Sequence, residues 1–237
     1  MEDVTTILDL DKLLFYDVEV FEKNAIVVFK DIKNETVRVF HNEFEGLRDL
    51  IRGKTLIGFN NYHYDDEILS AMLLCKGMRL IKQLNDKIIN KVTHHNHIDS
   101  EIVSLDCFQQ ISLSFPSLKK IEGNMGKGIV ESSVTFDIDR KLTDDEIAET
   151  IRYCEYDVES TIEIFKLREK SYFRPRLALV QMLPKNIRRT AIRWNTTTIS
   201  ANIITDGKKD TTAMRTAHFV KEKWMSLVPT SVQDIWN

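Results

Sequence analysis

Three β-rich runs follow one another near the N-terminus and constrain the fold more than any other feature of the chain. They read KLLFYDVEVF at 12–21, NAIVVFKD at 24–31 and ETVRVFHN at 35–42. Only short polar stretches join them, and neighbouring strands with such short connections pair antiparallel. We therefore expect an antiparallel meander of three strands at the start of the chain.

Helical and strand patterns alternate after the meander. Apolar residues recur at helical spacing up to Gly53, and TLIGF at 55–59 has the composition of a strand. Helical patterns follow at 65–76 and 79–92, and EIVSLDCF at 101–108 is strand-like. Strands that alternate with helices are typical of parallel sheets. The sequence therefore predicts an α/β fold whose mixed sheet, three antiparallel strands and then parallel strands, is flanked by helices.

The clearest helix lies at 140–170. Thr143 and Glu146 have the spacing of a capping box, which predicts where this helix begins. Tyr153 and Asp157 stand four residues apart, so they share a face that borders the apolar stripe of the helix. An acid is therefore predicted at the edge of a buried surface, where acids are uncommon.

The formal net charge of −3 conceals an acidic part and a basic part. Residues 1–165 contain 19 Lys and Arg against 31 Asp and Glu, whereas residues 166–237 contain 14 against 5. A basic segment of this kind is typical of a surface that meets a polyanion, although an ordinary basic helical surface has the same composition. Because composition and charge sign change near 173–175, we predict a domain at 1–172 and a basic helical tail at 173–237.

Several classes of protein are excluded by simple patterns. No run of about 18 apolar residues occurs, and the N-terminus is acidic where a secretory signal would be basic and then apolar. Cys75, Cys107 and Cys154 show no CxxC spacing, which argues against a disulfide framework and a thiolate zinc site. We expect a cytoplasmic protein with no membrane association.

Acidic residues stand in three elements that are otherwise apolar. Asp17 and Glu19 are two residues apart in a strand pattern, so both project from one face, and Asp65 and Asp157 lie in helical patterns. Carboxylates buried together raise one another's pKa and need hard cations such as Mg²⁺ or Mn²⁺. Two such ions about 4 Å apart stabilise the attacking oxygen and the leaving oxygen when a phosphodiester is hydrolysed. For the pair on the strand alone, an exposed strand with acids facing water is the alternative.

Two of these elements resemble motifs of the DEDD (DnaQ-like) 3′→5′ exonucleases of the tyrosine branch, which include the proofreading domains of DNA polymerases. Asp17-x-Glu19, after an apolar run, is similar to the first motif. YCEYD, from Tyr153 to Asp157, is similar to the third motif, Y-x-x-x-D. The resemblance covers residues 10–172 and implies an RNase H-like fold.

The second motif of this family, N-x-x-F-D, is similar to NNYHYD in this chain. Asn61, Tyr64 and Asp65 occupy its positions, and Tyr64 replaces the usual Phe. Asp66 follows directly and leaves a second register open, although the spacing favours Asp65. Three motifs in the expected order and context are stronger evidence than any one of them.

The resemblance implies a role for each acid. Asp17 would bridge two divalent cations, Mg²⁺ or Mn²⁺, and Glu19 and Asp157 would complete the site of the attacking water. Asp65 would support the second ion, mainly through water. Tyr153 would direct its hydroxyl at that water or at the scissile phosphate.

Contacts to the substrate are also implied. Asn61 and Tyr64 would position the 3′-terminal nucleotides, although turn and core packing account equally well for both residues. FPSLKKIEGNMG resembles a stretch of phage polymerases that carries a functional lysine, and either Lys119 or Lys120 corresponds to it. Asp106 is expected either to face the site or, more simply, to cap a turn.

These observations predict a metal-dependent 3′→5′ exonuclease that acts on single-stranded DNA 3′ ends. TTTISANII in the basic tail resembles the linker toward a polymerase palm. A polymerase region in cis or trans is therefore the expected partner, in a bacterial or phage-infected cell, and a free-standing exonuclease stays open. A 3′→5′ exoribonuclease, which uses the same chemistry, and a catalytically silent nucleic-acid-binding module are the alternatives.

Overall fold

The structure is a computed structural model that describes residues 7–74, 76–93, 97–109, 111 and 116–205. The described strands are β1 (Leu13–Val20), β2 (Ala25–Lys30), β3 (Thr36–His41), β4 (Thr55–Gly58) and β5 (Ser104–Asp106). The described α-helices are α1 (Leu47–Ile51), α2 (Asp65–Leu73), α3 (Met78–Ile89), α4 (Leu118–Asn124), α5 (Asp144–Arg168), α6 (Arg174–Met182), α7 (Arg188–Ala191) and α8 (Thr196–Thr205). A π-helical turn, Glu169–Phe173, joins α5 to α6.

The described strands form one mixed sheet in the order β3-β2-β1-β4-β5. β1 pairs antiparallel with β2, and β2 pairs antiparallel with β3. β4 runs parallel to β1 on one side and to β5 on the other. The predicted meander and the parallel strands after it are therefore confirmed, and β1 lies at the centre of the sheet.

The side chains of β1 alternate between two helical layers, as the strand pattern predicts. Tyr16, Val18 and Val20 pack in a core cluster with residues of α2 and α3. Phe15 packs on the opposite face, where its ring meets the ring of Phe165 of α5 with centroids 5.3 Å apart. Since side chains two residues apart share a face, Asp17 is directed toward α5.

The capping box at the start of α5 is confirmed. The Thr143 hydroxyl accepts from the Glu146 amide at 3.3 Å, and the Glu146 carboxylate accepts from the Thr143 amide at 2.7 Å. Val158 and Phe165 of the same helix are buried against the sheet. This cap fixes the position of α5 along its axis and so decides which of its residues meet the carboxyl end of β1.

The helices after the π-helical turn pack on the domain core. Leu177 and Val180 of α6 and Ile199 of α8 belong to the same buried cluster as Phe15 and Phe165. The predicted helical character of the basic tail is therefore observed up to residue 205, and residues 206–237 lie outside the described part. Within the described residues, no helix has the length and apolarity needed to cross a bilayer.

Candidate active site

The carboxyl end of β1 carries two of the predicted acids. Pairing of β1 with β4 ends at Phe15, so Asp17 and Glu19 lie beyond the last residue pair of these two parallel strands. On the other side, Asp17 remains paired with Val28 of β2. In open α/β sheets, ligands bind in the crevice outside the carboxyl ends of the strands. The fold therefore offers a binding site at this point.

Two helices bring further acids to the same end of the sheet. Asp65 is the first residue of α2 and Asp157 lies within α5, and both side chains are buried. Asp17 interacts electrostatically with both of them, and Glu19 interacts with all three. The structure therefore brings together the four acids that the sequence singled out.

Burial is the first cause of a raised pKa in each of these carboxyl groups. Burial and repulsion from Asp157 raise the pKa of Asp17 to about 7. The pKa values of Glu19 and Asp65 are also raised, by burial first and by the charge of Asp17 second. Such shifts mean that negative charge is in excess at this site, and a bound cation would relieve the repulsion.

Lys119 supplies part of the missing positive charge. Its Nζ lies 2.5 Å from Asp157 Oδ1, and the ammonium lies 4.6 Å from the centre of the Tyr153 ring. The pKa of Asp157 is raised by burial, and the Lys119 ammonium opposes this increase. Lys120, the next residue, is exposed. Of the two lysines that the sequence left open, the structure places Lys119 at the site.

We expect Lys119→Met to destabilise the metal-free protein at pH 8 by roughly 1–2 kcal/mol, because Asp157 then keeps a partly buried charge with less compensation. Lys120→Met is the matched control and should change the unfolding free energy by less than about 0.5 kcal/mol. Urea unfolding in the presence of EDTA measures both. Equal losses in the two variants would contradict the assignment of Lys119.

The donors of the site fit divalent cations in their chemistry. Carboxylate oxygens are the ligands that Mg²⁺ and Mn²⁺ prefer. Among the residues that the structure describes, no three acidic, histidine or cysteine side chains are already gathered around one metal position. A cation, the Lys119 ammonium, nevertheless lies against one of the acids. The residues that would hold metal ions are Asp17, Glu19, Asp65 and Asp157.

Tyr153 lies one helical turn before Asp157 and is half-buried. Its hydroxyl lies beside the Asp157 carboxylate, and burial raises the pKa of Tyr153, with further increases from the charges of Asp157 and Glu19. A neutral hydroxyl is therefore held at the edge of the carboxylate cluster. It can donate a hydrogen bond to a ligand there, but it is a poor base.

The structure separates the roles of the consecutive acids Asp65 and Asp66. Asp65 interacts with Asp17 and belongs to the carboxylate cluster. Asp66 is fully buried and accepts hydrogen bonds from the Tyr16 hydroxyl, the Ser104 hydroxyl and the Arg193 guanidinium. The register that the N-x-x-F-D spacing favours is therefore the one in which the carboxyl group faces Asp17.

Asn61 and Tyr64 have different surroundings. Asn61 is fully buried, and its Nδ2 donates to Asp66 Oδ1 at 3.1 Å. This placement favours the packing alternative and leaves Asn61 outside the substrate contacts that we propose below. Tyr64 is partly exposed and lines a cleft, while its hydroxyl donates to Asn85 Oδ1 at 2.6 Å.

The cleft beside Asp17 and Asp65 has a volume of about 600 Å³. Aromatic, apolar and basic side chains line it together, among them Phe59, His63, Tyr64, Ile88, Ile89 and Lys91. Aromatic rings beside basic groups are the chemistry of single-stranded nucleic-acid sites. The sequence did not single out His63 or Lys91. His63 fills a variable position of the N-x-x-F-D motif, and Lys91, just after α3, reaches the site only through the fold.

Two further acids, Glu122 and Asp106, lie near the site and contact other protein groups. Glu122 of α4 is fully buried with one oxygen 3.5 Å from Lys119 Nζ, and it was not predicted from the sequence. Asp106 Oδ1 accepts from the amides of Asn60 and Phe108, both at 2.8 Å. The turn-capping alternative for Asp106 is therefore confirmed, and burial raises its pKa to about 6.

Comparison with known proteins adds no relative from which a role could be transferred. Neither a scan of protein-family models nor a search of curated proteins finds a match to this chain.

Proposed function

We propose that the chain is a metal-dependent 3′→5′ exonuclease that removes nucleotides from single-stranded DNA 3′ ends and has an RNase H-like fold. One observation carries the proposal: four carboxyl groups from β1, α2 and α5 interact with one another, and two of them, Asp17 and Asp65, line an open cleft. The mixed sheet with helices on both faces is compatible with that fold.

Two divalent cations held by the four carboxylates would neutralise charge on the phosphate and lower the pKa of the attacking water. The protein's own groups orient the reactants. Tyr153, whose hydroxyl lies beside Asp157, aligns the attacking water by a hydrogen bond. Lys119 contributes a positive charge close to Asp157 and binds a phosphate oxygen of the substrate.

The cleft holds the terminal nucleotide in this proposal. Phe59 and Tyr64 offer aromatic surface to a base, and Lys91 offers a charge to the phosphate backbone. None of these contacts depends on base identity, because every base has a π-face. Such a site would release nucleotides one at a time from any sequence.

A proofreading role fits the charge distribution of the chain. Residues 166–237 contain 14 basic against 5 acidic side chains, which favours contact with a polyanion. The partner that we propose is a polymerase region, in cis or in trans, in a bacterial or phage-infected cell. Its synthesis would supply the 3′ ends that this site removes.

Digestion of single-stranded DNA labelled at its 5′ end tests the proposed activity directly. With Mg²⁺ or Mn²⁺ we expect stepwise shortening from the 3′ end, and with EDTA we expect none. Equal or faster digestion of a matched RNA would reassign the enzyme as an exoribonuclease. Binding of the oligonucleotide without any shortening would show a silent nucleic-acid-binding module and overturn the proposal.

Tyr153→Phe should slow cleavage by roughly 10- to 100-fold, because a ring without the hydroxyl still packs but no longer aligns the water. Tyr156→Phe is the matched control on the same helix, since its hydroxyl donates to the Gly128 carbonyl and not to an acid. The measurement is single-turnover kinetics together with Mn²⁺ titration. An equal loss of rate in both variants, or a loss of Mn²⁺ binding in Tyr153→Phe, would argue against this role.

A further inference from the structure

Asp66 is a buried carboxylate that the proposed reaction does not use. It is fully buried and accepts hydrogen bonds from four side chains in four different segments. Ser104 Oγ of β5 donates at 2.6 Å and Asn61 Nδ2 at 3.1 Å, and the Tyr16 hydroxyl and Arg193 complete the set. Among these donors, Arg193 is the one that brings a positive charge.

Arg193 is held in place by more than its ion pair. Its Nη1 also donates to Ser104 Oγ at 3.2 Å, and its Nη2 donates to the Tyr62 carbonyl at 3.3 Å. The guanidinium lies over the Tyr62 ring, 4.1 Å from the ring centre. A planar fork that meets a carboxylate, a hydroxyl and a carbonyl while stacked on a ring has one defined orientation, which a lysine cannot reproduce.

Asp66 and one of its partners, Tyr16, are direct chain neighbours of acids in the proposed site. Asp66 follows Asp65 at the start of α2, and Tyr16 precedes Asp17 on β1. The hydrogen bond between Asp66 and the Tyr16 hydroxyl therefore ties the backbone that carries Asp65 to the backbone that carries Asp17. Any movement of Asp66 would change the distance between these two acids.

We propose that Arg193 is a positioning residue, which fixes the separation of Asp65 and Asp17 by neutralising Asp66 between them. This inference rests on the proposed function, because it assigns Arg193 to the metal-binding geometry of the same site. Without the guanidinium, Asp66 would be a buried charge that only neutral donors hold. An uncompensated buried charge is strongly destabilising, so the start of α2 would no longer be held in one position.

If Arg193 positions the acids, the functional unit of the chain extends beyond the domain that the sequence predicts. Arg193 lies beyond residue 172, where the sequence places the end of the exonuclease domain. The segment that carries it is fastened by the buried Arg176, which donates to the carbonyls of Ile192 and Trp194. The helices after α5 thus take part in forming the site, and they are more than a linker.

Three variants of the full chain test this inference. Arg193→Met removes the charge and the fork, and Arg193→Lys keeps the charge alone. Arg168→Met is the matched control, because Arg168 is also partly buried and bonds two distant carbonyls, those of Cys107 and Gln109, without contact to Asp66. For each protein the dissociation constant of Mn²⁺ is measured by electron paramagnetic resonance, with kcat, KM and Tm alongside.

We expect Arg193→Met to weaken Mn²⁺ binding and to lower kcat by roughly 10- to 100-fold each, the range seen when groups behind metal ligands are removed. KM for DNA should change little, and Arg193→Lys should recover part of the loss. Arg168→Met should lower Tm but leave Mn²⁺ binding and kcat close to wild type.

The outcomes separate this inference from the proposed function. If the wild type binds Mn²⁺ but digests no nucleic acid, the proposed function fails, and weaker Mn²⁺ binding in Arg193→Met still supports the positioning role. If the wild type is active and Arg193→Met keeps its Mn²⁺ affinity and kcat, the inference alone is overturned. An effect of equal size in Arg168→Met would reduce Arg193 to a stability role. A wild type that binds no Mn²⁺ overturns both.

Discussion

Asp17→Asn is expected to lower the rate of 3′-end digestion by roughly 1,000-fold or more while the protein stays folded. Asp17 interacts with Glu19, Asp65 and Asp157, so the loss of its charge affects every acid of the cluster. Asparagine has nearly the same shape but carries no charge, and it cannot help to hold two cations. Single-turnover digestion of a 5′-labelled oligonucleotide measures the loss.

The matched control for this variant is Asp106→Asn. Asp106 is also a buried aspartate at the end of a strand, but its Oδ1 caps a turn by accepting two backbone amides, and an asparagine oxygen accepts the same bonds. Its activity should remain within a few-fold of wild type. A comparable loss in both variants would show that any change in a buried acid disturbs the fold, and it would remove the special role of Asp17.

The second large effect is a loss of stability of the metal-free protein as pH rises. The pKa of Asp17 is about 7 in the folded chain against an ordinary value of 3.8. A carboxyl whose pKa is raised by folding contributes stability below its ordinary pKa, and this contribution is lost as pH rises through the folded value. A shift of this size corresponds to a change on the order of 4 kcal/mol between pH 4 and pH 8, which belongs to Asp17 together with the acids that interact with it.

Glu19, Asp65 and Asp157 shift in the same direction and deepen the loss. Asp99, whose pKa the Arg48 guanidinium lowers, acts in the opposite sense, but only in acid below its ordinary pKa. Urea unfolding in EDTA at a series of pH values measures the slope. Mn²⁺ should restore stability at pH 8, and Asp17→Asn should flatten the curve. A stability that is constant or rises from pH 5 to pH 8 in EDTA would contradict the burial of the acids.

The two predictions change activity and stability in opposite directions. Asp17→Asn should be nearly inactive and yet more stable than wild type in EDTA at pH 8, because it removes one member of a repelling set. A variant that loses activity through general unfolding shows the reverse. The pair of measurements therefore distinguishes a functional carboxylate from a structural one.

The sheet and its acids could be predicted because local rules govern them. Alternation along β1 directs Asp17 and Glu19 to one face, and the capping box at Thr143 defines the start of α5. Both signals lie within a few residues of the feature they predict. The same is true of the meander, whose short connections leave little choice of pairing.

The choice between Lys119 and Lys120 could not be made from the sequence, and the choice of Asp65 over Asp66 depended on motif spacing alone. Asp65 and Asp66, and likewise Lys119 and Lys120, follow each other on helices, where neighbouring side chains point about 100° apart. Which one faces the site depends on the rotation of each helix about its axis, and packing against the sheet decides that rotation. The structure assigns Asp65 and Lys119 to the carboxylate cluster.

The role of Arg193 could not be predicted from the sequence, for a different reason. It is 127 residues from Asp66 in the chain, and no motif links the two. The predicted domain boundary even assigned it to a separate tail. A buried acid beside a motif acid indicates that a cation must lie near it. It does not indicate which of the many arginines supplies that cation.

The capping box of α5 has a consequence for how this chain can change over generations. Thr143 fixes one end of the helix and Asp157 must meet the sheet farther along it. One residue inserted between them would turn the carboxyl about 100° around the axis, away from β1. Insertions and deletions should therefore be tolerated in the loop before Thr143 but not between Thr143 and Asp157. The spacing of these two residues is expected to vary less than the identities of the residues between them.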